Sequence, residues 1–339
     1  MAYRSPGKRL LFALIAVVIF FAAAEGIFRL LGLNIQSGGT GRVDRLLYFD
    51  VSREQVGVDV NLVLGVKVHL LESGAYNTKP PITPKQPGTL RILCLGDSST
   101  IGDGVRPDQA YCPQLATELE QRLGRKVEDF NLGFFGYSSY QGRMLYDRYA
   151  KRIEPDAVVF YFGANDAVHA PLREDKDWDK VPMWMLQSNG WMYAHSALYR
   201  FLRNINARYL LQMFVHPFNR EARQTPFRSR VTKTDFLANL RHIRSDEQQH
   251  GGRVYVVPYL ALRGAEMNLE GLHYHEDMDD PRMIDLRPAF SAVLAQGRSP
   301  FVDGIHPSPE GHKIIADLLA DKIVADFDAT AKPSNPSEN

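Results

Sequence analysis

The stretch Arg91–Gly104, RILCLGDSSTIGDG, changes character at its midpoint. Its first half is an apolar run, and its second half is small, polar and rich in glycine. An apolar run of this length that ends at a glycine is typical of a buried parallel strand. The tight turn at Gly96, Asp97 and Ser98 would then expose a serine at the strand end. Ser98 is therefore either a nucleophile or a residue that caps the next segment.

Downstream of this stretch, apolar strands alternate with helical patterns. Strands are predicted at VEDFNLG, AVVFYFG and RVYVVPY, with a short fifth at MIDL. Helices are predicted at 113–123, 139–153 and 235–249, and a last one follows Ser308 with Pro309 at its first position. This order predicts an α/β domain whose mostly parallel sheet is covered by helices on both faces.

Four polar, glycine-bearing loops fall at one edge of this predicted sheet, where α/β proteins bind ligands. They read GDSST, NLGFFGYSS, GAND and DGIHPS. Hydrolysis by a serine needs a histidine base, a carboxylate that orients it, and donors for the oxyanion. The candidates for these roles are Ser98, His306, Asp303, Asn165 and Gly136, with Gly133 as the second choice for the glycine.

The four blocks, in this order, resemble the SGNH hydrolases, or GDSL esterases and lipases, of a membrane-anchored bacterial type. The resemblance covers about residues 90–325, and Ser99 stands where the family name has leucine. It implies a three-layer α/β/α flavodoxin-like domain that needs no metal or cofactor. It also implies that His306 takes the proton of Ser98 and that Asp303 orients the imidazole. The oxyanion hole would consist of the N–H groups of Ser98 and Gly136 and the amide of Asn165.

The N-terminus carries three basic residues before Leu10–Ala24, a run without charge. One interpretation is a signal peptide that is cut after Ala24. The other is an uncleaved transmembrane helix that continues to Leu33, in which Glu25 and Arg29 pair one turn apart. The anchor is favoured because apolar residues resume after Glu25. Both interpretations place the N-terminus in the cytoplasm and export the catalytic domain.

The predicted domain order is an anchor at 1–33, a neck or linker at 34–89 that ends in a proline-rich stretch, a hydrolase domain at 90–328 and a disordered tail at 329–339. A helical insertion at about 167–234 contains all three tryptophans. The insertion could overhang the site, or it could be a peripheral helical subdomain, and the sequence leaves both open.

Composition argues against a nucleic-acid-binding protein, a disulfide-rich protein and a metal site in the acidic loop. Hydrophobic residues are 45% and charged residues 23% of the chain, and the net charge of +1 leaves no electrostatic footprint for nucleic acid. Cys94 is interpreted as a small buried hydrophobe, and a disulfide with Cys112 is a weaker alternative. The acidic loop HYHEDMDD, residues 273–280, is interpreted as solvated rather than as a metal site.

These features predict an exported, membrane-tethered serine esterase that removes small acyl groups, acetyl in particular, from a cell-envelope or extracellular glycan. An O-acyltransferase that passes the acyl group to a polysaccharide hydroxyl is the alternative on the same scaffold. A third hypothesis is a non-catalytic protein for glycan binding or assembly, against which the intact Ser98, Asp303 and His306 argue.

Overall fold

The computed structural model describes residues 6–31, 84–168, 170, 174–180, 182, 184, 185, 188, 191, 192, 195–199, 228–263, 274–276 and 278–331, and the backbone alone at 59–61, 67–70, 76–77 and 268–271. The chain divides into two compact units. The first combines residues 1–52 with 179–226, and the second combines 53–178 with 227–339. The middle of the predicted insertion thus clusters with the N-terminal segment, while both of its ends belong to the second unit.

The first unit contains helix α1, Pro6–Leu30. At about 1.5 Å per residue this helix is longer than the roughly 30 Å hydrocarbon core of a bilayer. Its large apolar side chains are exposed, and its composition is that of a helix able to cross a membrane or of a signal segment. The helix passes through Ala24 without interruption and ends with the Glu25–Arg29 ion pair in its last turns, at 2.7 Å.

The second unit begins with three short antiparallel strands in the predicted neck. They are β1 (Asp59–Asn61), β2 (Lys67–Leu70) and β3 (Tyr76–Asn77), paired in that order. All three strands precede the prolines with which the predicted neck ends, and the rest of residues 34–83 lies outside the described part of the chain.

A four-stranded parallel sheet forms the centre of the second unit. Its strands are β4 (Leu90–Gly96), β5 (Val127–Gly133), β6 (Ala157–Tyr161) and β7 (Arg253–Val256), and their spatial order is β5-β4-β6-β7. Gly96 pairs with Gly133 on one side and with Tyr161 on the other, so the carboxyl ends of three strands lie level. The predicted fifth strand is reduced to one parallel bridge between Val256 and Met283.

Helices cover both faces of this sheet, as predicted. The short helix α2 (Ser98–Ile101) follows β4, and α3 (Tyr111–Leu123) packs with the last helix on one face. Helix α4 (Ser139–Ile153) and helix α5 (Lys233–His250) cover the other face. A hairpin of β8 (Leu260–Arg263) and β9 (Asn268–Gly271) then precedes α6 (Arg287–Ala295) and α7 (Pro309–Ala331).

The helix ends follow from local sequence signals. Gly124 ends α3 with φ at +61°, a left-handed conformation that glycine adopts without strain. Thr232 caps α5 by accepting a hydrogen bond from the Asp235 N–H at 3.1 Å. Ser138 and Gln141 form a capping box at the start of α4. The three helices predicted within 113–249 are confirmed to within two residues at each end.

Side chains of the buried strands alternate between the two helical layers. Cys94 and Tyr161 belong to the core cluster with α3 and α7, whereas Phe160 packs against Phe236 of α5 with ring centroids 5.4 Å apart. Cys94 is fully buried as predicted, but it forms a disulfide with Cys112 that joins β4 to α3. The interpretation of Cys94 as a simple hydrophobe is therefore wrong, because the strand and the helix bring the two cysteines within 6.3 Å between Cα atoms.

The last helix reaches Ala331, so the first residues of the predicted tail at 329–339 are helical. Residues 332–339 lie outside the described part of the chain.

Candidate active site

Ser98 is the first residue of α2, immediately after the central strand β4. The Asp97 carboxylate caps this turn by accepting a hydrogen bond from the Ser99 N–H at 2.9 Å. Gly96 permits the turn, since a Cβ there would lie 1.8 Å from the Thr100 hydroxyl. Ser98 is half-buried between fully buried neighbours, so the turn presents one hydroxyl at the end of the strand.

His306 and Asp303 lie beside this hydroxyl, although 208 residues separate His306 from Ser98 in the chain. The Ser98 Oγ is 2.8 Å from His306 Nε2, and His306 Nδ1 is 2.6 Å from Asp303 Oδ2. A carboxylate can only accept, so the proton on the ring belongs on Nδ1, and Nε2 accepts from the Ser98 hydroxyl. The three predicted residues thus form one continuous hydrogen-bonded chain.

The Asp303 loop holds its carboxylate in place through its own backbone. Asp303 Oδ1 accepts hydrogen bonds from the N–H groups of Ile305 and His306, at 3.0 and 2.8 Å. Burial opposes ionisation of Asp303, but these backbone bonds and the His306 ring outweigh it and lower its pKa. Asp303 is therefore charged at neutral pH and can orient the imidazole.

The two candidate glycines in the block after β5 have different environments. Gly133 ends β5 in a buried position, and a Cβ there would lie 2.4 Å from the Ile101 nitrogen. Gly136 is half-buried and has φ at +74°. Gly133 therefore serves close packing of β5 on α2, and Gly136 is the one in the loop beside the Ser98 turn. In that loop the Phe134 N–H donates a hydrogen bond to the Gly96 carbonyl of β4, at 3.2 Å.

Asn165 lies in the loop after β6 and connects the other two loops. Its Nδ2 donates to the Tyr137 carbonyl at 3.1 Å and to Asp97 Oδ2 at 3.3 Å. The three loops after β4, β5 and β6 are thus mutually hydrogen-bonded. Among the described residues, neither the Ser98 N–H nor the Gly136 N–H donates a hydrogen bond. Two unpartnered backbone donors and one amide therefore belong to the same loop cluster as the hydroxyl.

Two residues that the sequence did not single out hold the Gly136 loop. Arg230 Nη1 donates to the Gly136 carbonyl at 2.7 Å, and its Nη2 donates to Gln141 Oε1 at 3.0 Å. The same guanidinium pairs with both carboxylate oxygens of Asp175, at 3.1 and 2.9 Å. Asp175 Oδ2 also accepts from the Ser138 hydroxyl at 2.5 Å. No local motif signals this network, because Arg230 lies 94 residues from Gly136.

Backbone hydrogen bonds tie Arg230 to the Asn165 loop as well. The Arg230 N–H donates to the Val168 carbonyl at 2.9 Å, and the Val231 N–H donates to the Asp166 carbonyl at 3.1 Å. The two ends of the insertion are thereby paired with each other at its base. The Gly136 and Asn165 loops, which carry two of the three predicted oxyanion donors, are both attached to this paired base.

Two more carboxylates lie near His306. Asp103 Oδ2 is 3.7 Å from His306 Nε2, on the side of the imidazole that faces Ser98. Burial raises the pKa of Asp97 to about 6, against the hydrogen bond from Ser99 and the attraction of His306. The sequence alone predicted neither contact with His306. Asp103 approaches the imidazole because of the turn that ends α2, and Asp97 is recognisable in the sequence only as the middle residue of the GDS motif.

The second histidine of the last block, His312, lies on α7. Its Nδ1 accepts a hydrogen bond from the Tyr111 N–H at 3.2 Å, and the two rings stack. Burial, together with His306, lowers the pKa of His312 to about 3, so it stays neutral. Its contacts are those of a core residue. Within the described part of the chain, no group of three His, Cys, Asp or Glu side chains is placed to hold a metal ion.

Comparisons with known proteins point to one family. The model of the GDSL-like Lipase/Acylhydrolase family matches residues 94–314. The search of curated proteins returned no match.

Matching solved structures include a catalytic mutant of Axe2, an acetylxylan esterase from Geobacillus stearothermophilus, at 16% identity. The match covers 69% of this chain and 94% of that one, with a TM-score of 0.41. LAE5, an alpha/beta hydrolase from the metagenome of Lake Arreo, has the same identity, coverage and TM-score. TesA matches at 15% identity over 69% of this chain and 97% of its own, with a TM-score of 0.37.

Proposed function

The chain belongs to the GDSL-like lipase/acylhydrolase family and is a serine ester hydrolase, and from this premise we propose that it hydrolyses small acyl esters through Ser98, His306 and Asp303. The observation that carries the proposal is the continuous chain of contacts from the Ser98 hydroxyl to the Asp303 carboxylate, at 2.8 and 2.6 Å. Such a chain is what a serine needs in order to lose its proton as it attacks.

In the first half of the reaction, Ser98 Oγ attacks the ester carbonyl carbon while its proton moves to His306 Nε2. Asp303 stabilises the imidazolium, and the nearby Asp103 carboxylate adds attraction from the other side. The intermediate collapses when the carbon–oxygen bond to the alcohol breaks and His306 returns the proton to the leaving alkoxide. In the second half, water replaces the alcohol, and the same steps release the acid and free Ser98.

The oxyanion is stabilised by the N–H groups of Ser98 and Gly136 and by the Asn165 amide. The two backbone donors are unpartnered among the described residues, which leaves them available to an oxyanion. The amide would exchange its 3.3 Å contact with Asp97 for the substrate oxygen. Each donor is expected to contribute roughly 3 kcal/mol of transition-state stabilisation.

The proposed location is outside the cytoplasm, with helix α1 as an uncleaved anchor and its basic flank inside. The Cys94–Cys112 disulfide supports export, because disulfides persist in oxidising compartments. An exported, tethered esterase meets the cell envelope first, and its substrate is accordingly proposed to be a small acyl ester, acetyl in particular, on an envelope or extracellular glycan.

A fluorophosphonate probe tests the nucleophile on the full-length protein in detergent. The label is expected on Ser98 and is expected to vanish in Ser98→Ala. Ser99→Ala is the matched control, since Ser99 is the adjacent serine but is completely buried, and it should label as the wild type does. Labelling that survives in Ser98→Ala would reject the assignment.

The fate of the acyl group is tested by product analysis with p-nitrophenyl acetate, with and without an acetylatable glycan. Hydrolysis predicts free acetate at equal rates in both samples. Acetate that appears on the glycan at the expense of free acid would instead assign the chain to the acyltransferases.

A further inference from the structure

The segment at 182–199, within the predicted insertion, carries an unusual exposed surface. Outside α1, seven large hydrophobic side chains are exposed among the described residues, and four of them lie in this short segment: Trp184, Met185, Trp191 and Met192. The two tryptophans are 66% and 64% exposed. An exposed apolar surface of this kind marks a binding surface rather than a core.

The four side chains form two Trp-Met pairs seven residues apart. Residues 184, 185, 188, 191, 192 and 195 are all helical, and the Ser196 N–H donates to the Met192 carbonyl at 2.9 Å. Trp184 and Met185 are helical residues, as are Trp191 and Met192 seven positions later, so the segment presents two exposed Trp-Met pairs. We refer to these four residues as the Trp-Met surface.

The same segment is hydrogen-bonded to the last turns of α1, and both belong to the first unit. The Glu25 carboxylate accepts hydrogen bonds from the Ala197 and Leu198 N–H groups, at 2.8 and 3.0 Å, and from the Ser196 hydroxyl at 2.7 Å. Arg29 donates to the His195 carbonyl at 2.6 Å. These contacts fix the segment at the carboxyl end of α1.

The carboxyl end of a membrane-spanning helix lies at the boundary between hydrocarbon and water. Glu25 and Arg29 are the first charged residues after the apolar run, so this boundary falls at their level. Tryptophan is enriched at this depth because its ring is apolar and its N–H is polar. A segment bonded to Glu25 and Arg29 is therefore held where exposed tryptophans are stabilised by lipid.

We propose that the Trp-Met surface lies in the lipid interface, on the side of the membrane that holds the catalytic domain, and so forms a second membrane contact beside α1. This inference rests on the proposed membrane anchor. Its partner is the glycerol and upper acyl-chain region of the same bilayer. The described residues of 182–199 would then give the anchor a second point of attachment to the bilayer.

The test measures tryptophan fluorescence of the full-length protein in vesicles of phosphatidylethanolamine and phosphatidylglycerol with brominated acyl chains. Bromine quenches an indole only on close approach. Trp178→Phe with Trp191→Phe leaves Trp184 alone, and Trp178→Phe with Trp184→Phe leaves Trp191 alone. Both single-tryptophan proteins are expected to lose most of their emission, and more so with bromine near the head groups than with bromine near the chain ends.

A third protein supplies the matched control. It has all three tryptophans replaced by phenylalanine and carries Phe20→Trp in the middle of α1, where quenching should be strongest with bromine near the chain ends. Fluorophosphonate labelling shows that each variant is folded. If Phe20→Trp is quenched but Trp184 and Trp191 are not, the proposal is overturned and the anchor stands. If none of the three proteins is quenched, α1 does not lie in the bilayer, and the proposal is overturned together with the proposed anchor.

Discussion

Replacement of Arg230 by methionine tests whether the Gly136 loop depends on a residue from the far end of the insertion. The substitution keeps much of the side-chain length but removes every hydrogen bond of the guanidinium. Gly136 loses the 2.7 Å contact to its carbonyl, and Asp175 loses both of its contacts to the cation. The peptide that follows Gly136 keeps the hydrogen bond from the Tyr137 N–H to the Phe134 carbonyl, at 3.2 Å, but loses the contact at its own carbonyl. We therefore expect Gly136, and the N–H that it carries, to be held less precisely.

The expected loss of stability follows from burial. The Asp175 side chain is only 4% exposed and that of Arg230 is 18% exposed. A buried ion pair that loses one partner costs about 3–5 kcal/mol, because the remaining charge has no compensation. Because Arg230 is partly exposed, we expect a loss of unfolding free energy near the lower end of that range.

The expected loss of activity follows from the oxyanion donor. Complete removal of one donor lowers kcat by about 10²–10³. Arg230→Met displaces the Gly136 N–H rather than deleting it, so we expect a fall in kcat of roughly ten- to a hundredfold, with KM little changed. Steady-state hydrolysis of p-nitrophenyl acetate measures both constants, and urea unfolding measures the stability.

The double variant Arg230→Met with Asp175→Asn separates the two effects. It leaves no unpaired charge, and its amide oxygen can still accept from the Ser138 hydroxyl, so most of the stability should return. The kcat should stay low, because the Gly136 carbonyl is still without its donor. Recovery of kcat together with stability would refute the positioning role and leave Arg230 as a purely structural residue.

Three further outcomes are expected. Asn165→Ala should lower kcat about 10²–10³-fold and the unfolding free energy by about 1–3 kcal/mol, because the Tyr137 carbonyl loses the hydrogen bond from the amide; a wild-type kcat would remove Asn165 from the oxyanion hole. Reduction of the Cys94–Cys112 disulfide should lower the unfolding free energy by about 3 kcal/mol, since its loop spans 18 residues, and a Cys94→Ala, Cys112→Ala variant should not respond to reductant. Burial raises the pKa of Glu247 to about 7 from an ordinary 4.5, so the folded state holds this proton more tightly and the unfolding free energy falls as pH rises between these values. Glu247→Gln, which keeps an acceptor for the Tyr146 hydroxyl, should therefore be more stable than the wild type above pH 7 by on the order of 2 kcal/mol, and equal stability at pH 5 and 8 in the wild type would contradict this reasoning.

The residues of the proton chain were predictable because each lies in a short block with its own local geometry. Ser98 follows a buried strand at a glycine turn, and the strand pattern alone places it at the sheet edge. Asp303 and His306 are three residues apart, so a single turn brings the carboxylate to the imidazole at 2.6 Å. The parallel register then brings the blocks together, since Gly96 is level with Gly133 and with Tyr161.

The supporting network was not predictable for the opposite reason. Arg230 and Asp175 lie 55 residues apart, and their pairing depends on how the two ends of the insertion meet. The Asp103 carboxylate approaches His306 only because the chain turns at Gly102, where φ is +91°. Periodicity reports which face of an element is buried, but it carries no information on which long polar side chains meet across loops.

The paired base of the insertion explains how a long excursion of the chain is compatible with a rigid site. Between Lys176 and Arg228 the chain departs from the second unit and returns to it. Lengthening such a loop is cheap, because each doubling of its length costs only about 0.6 kcal/mol in closure entropy. The base has backbone bonds from the N–H groups of Ala170, Asp175, Arg230 and Val231, each worth roughly 0.5–1.5 kcal/mol, and the buried ion pair as well. These bonds join the two ends of the insertion to each other and, through Arg230, to the Gly136 loop, so the proposed oxyanion donors Gly136 and Asn165 are positioned by contacts at the base of the insertion.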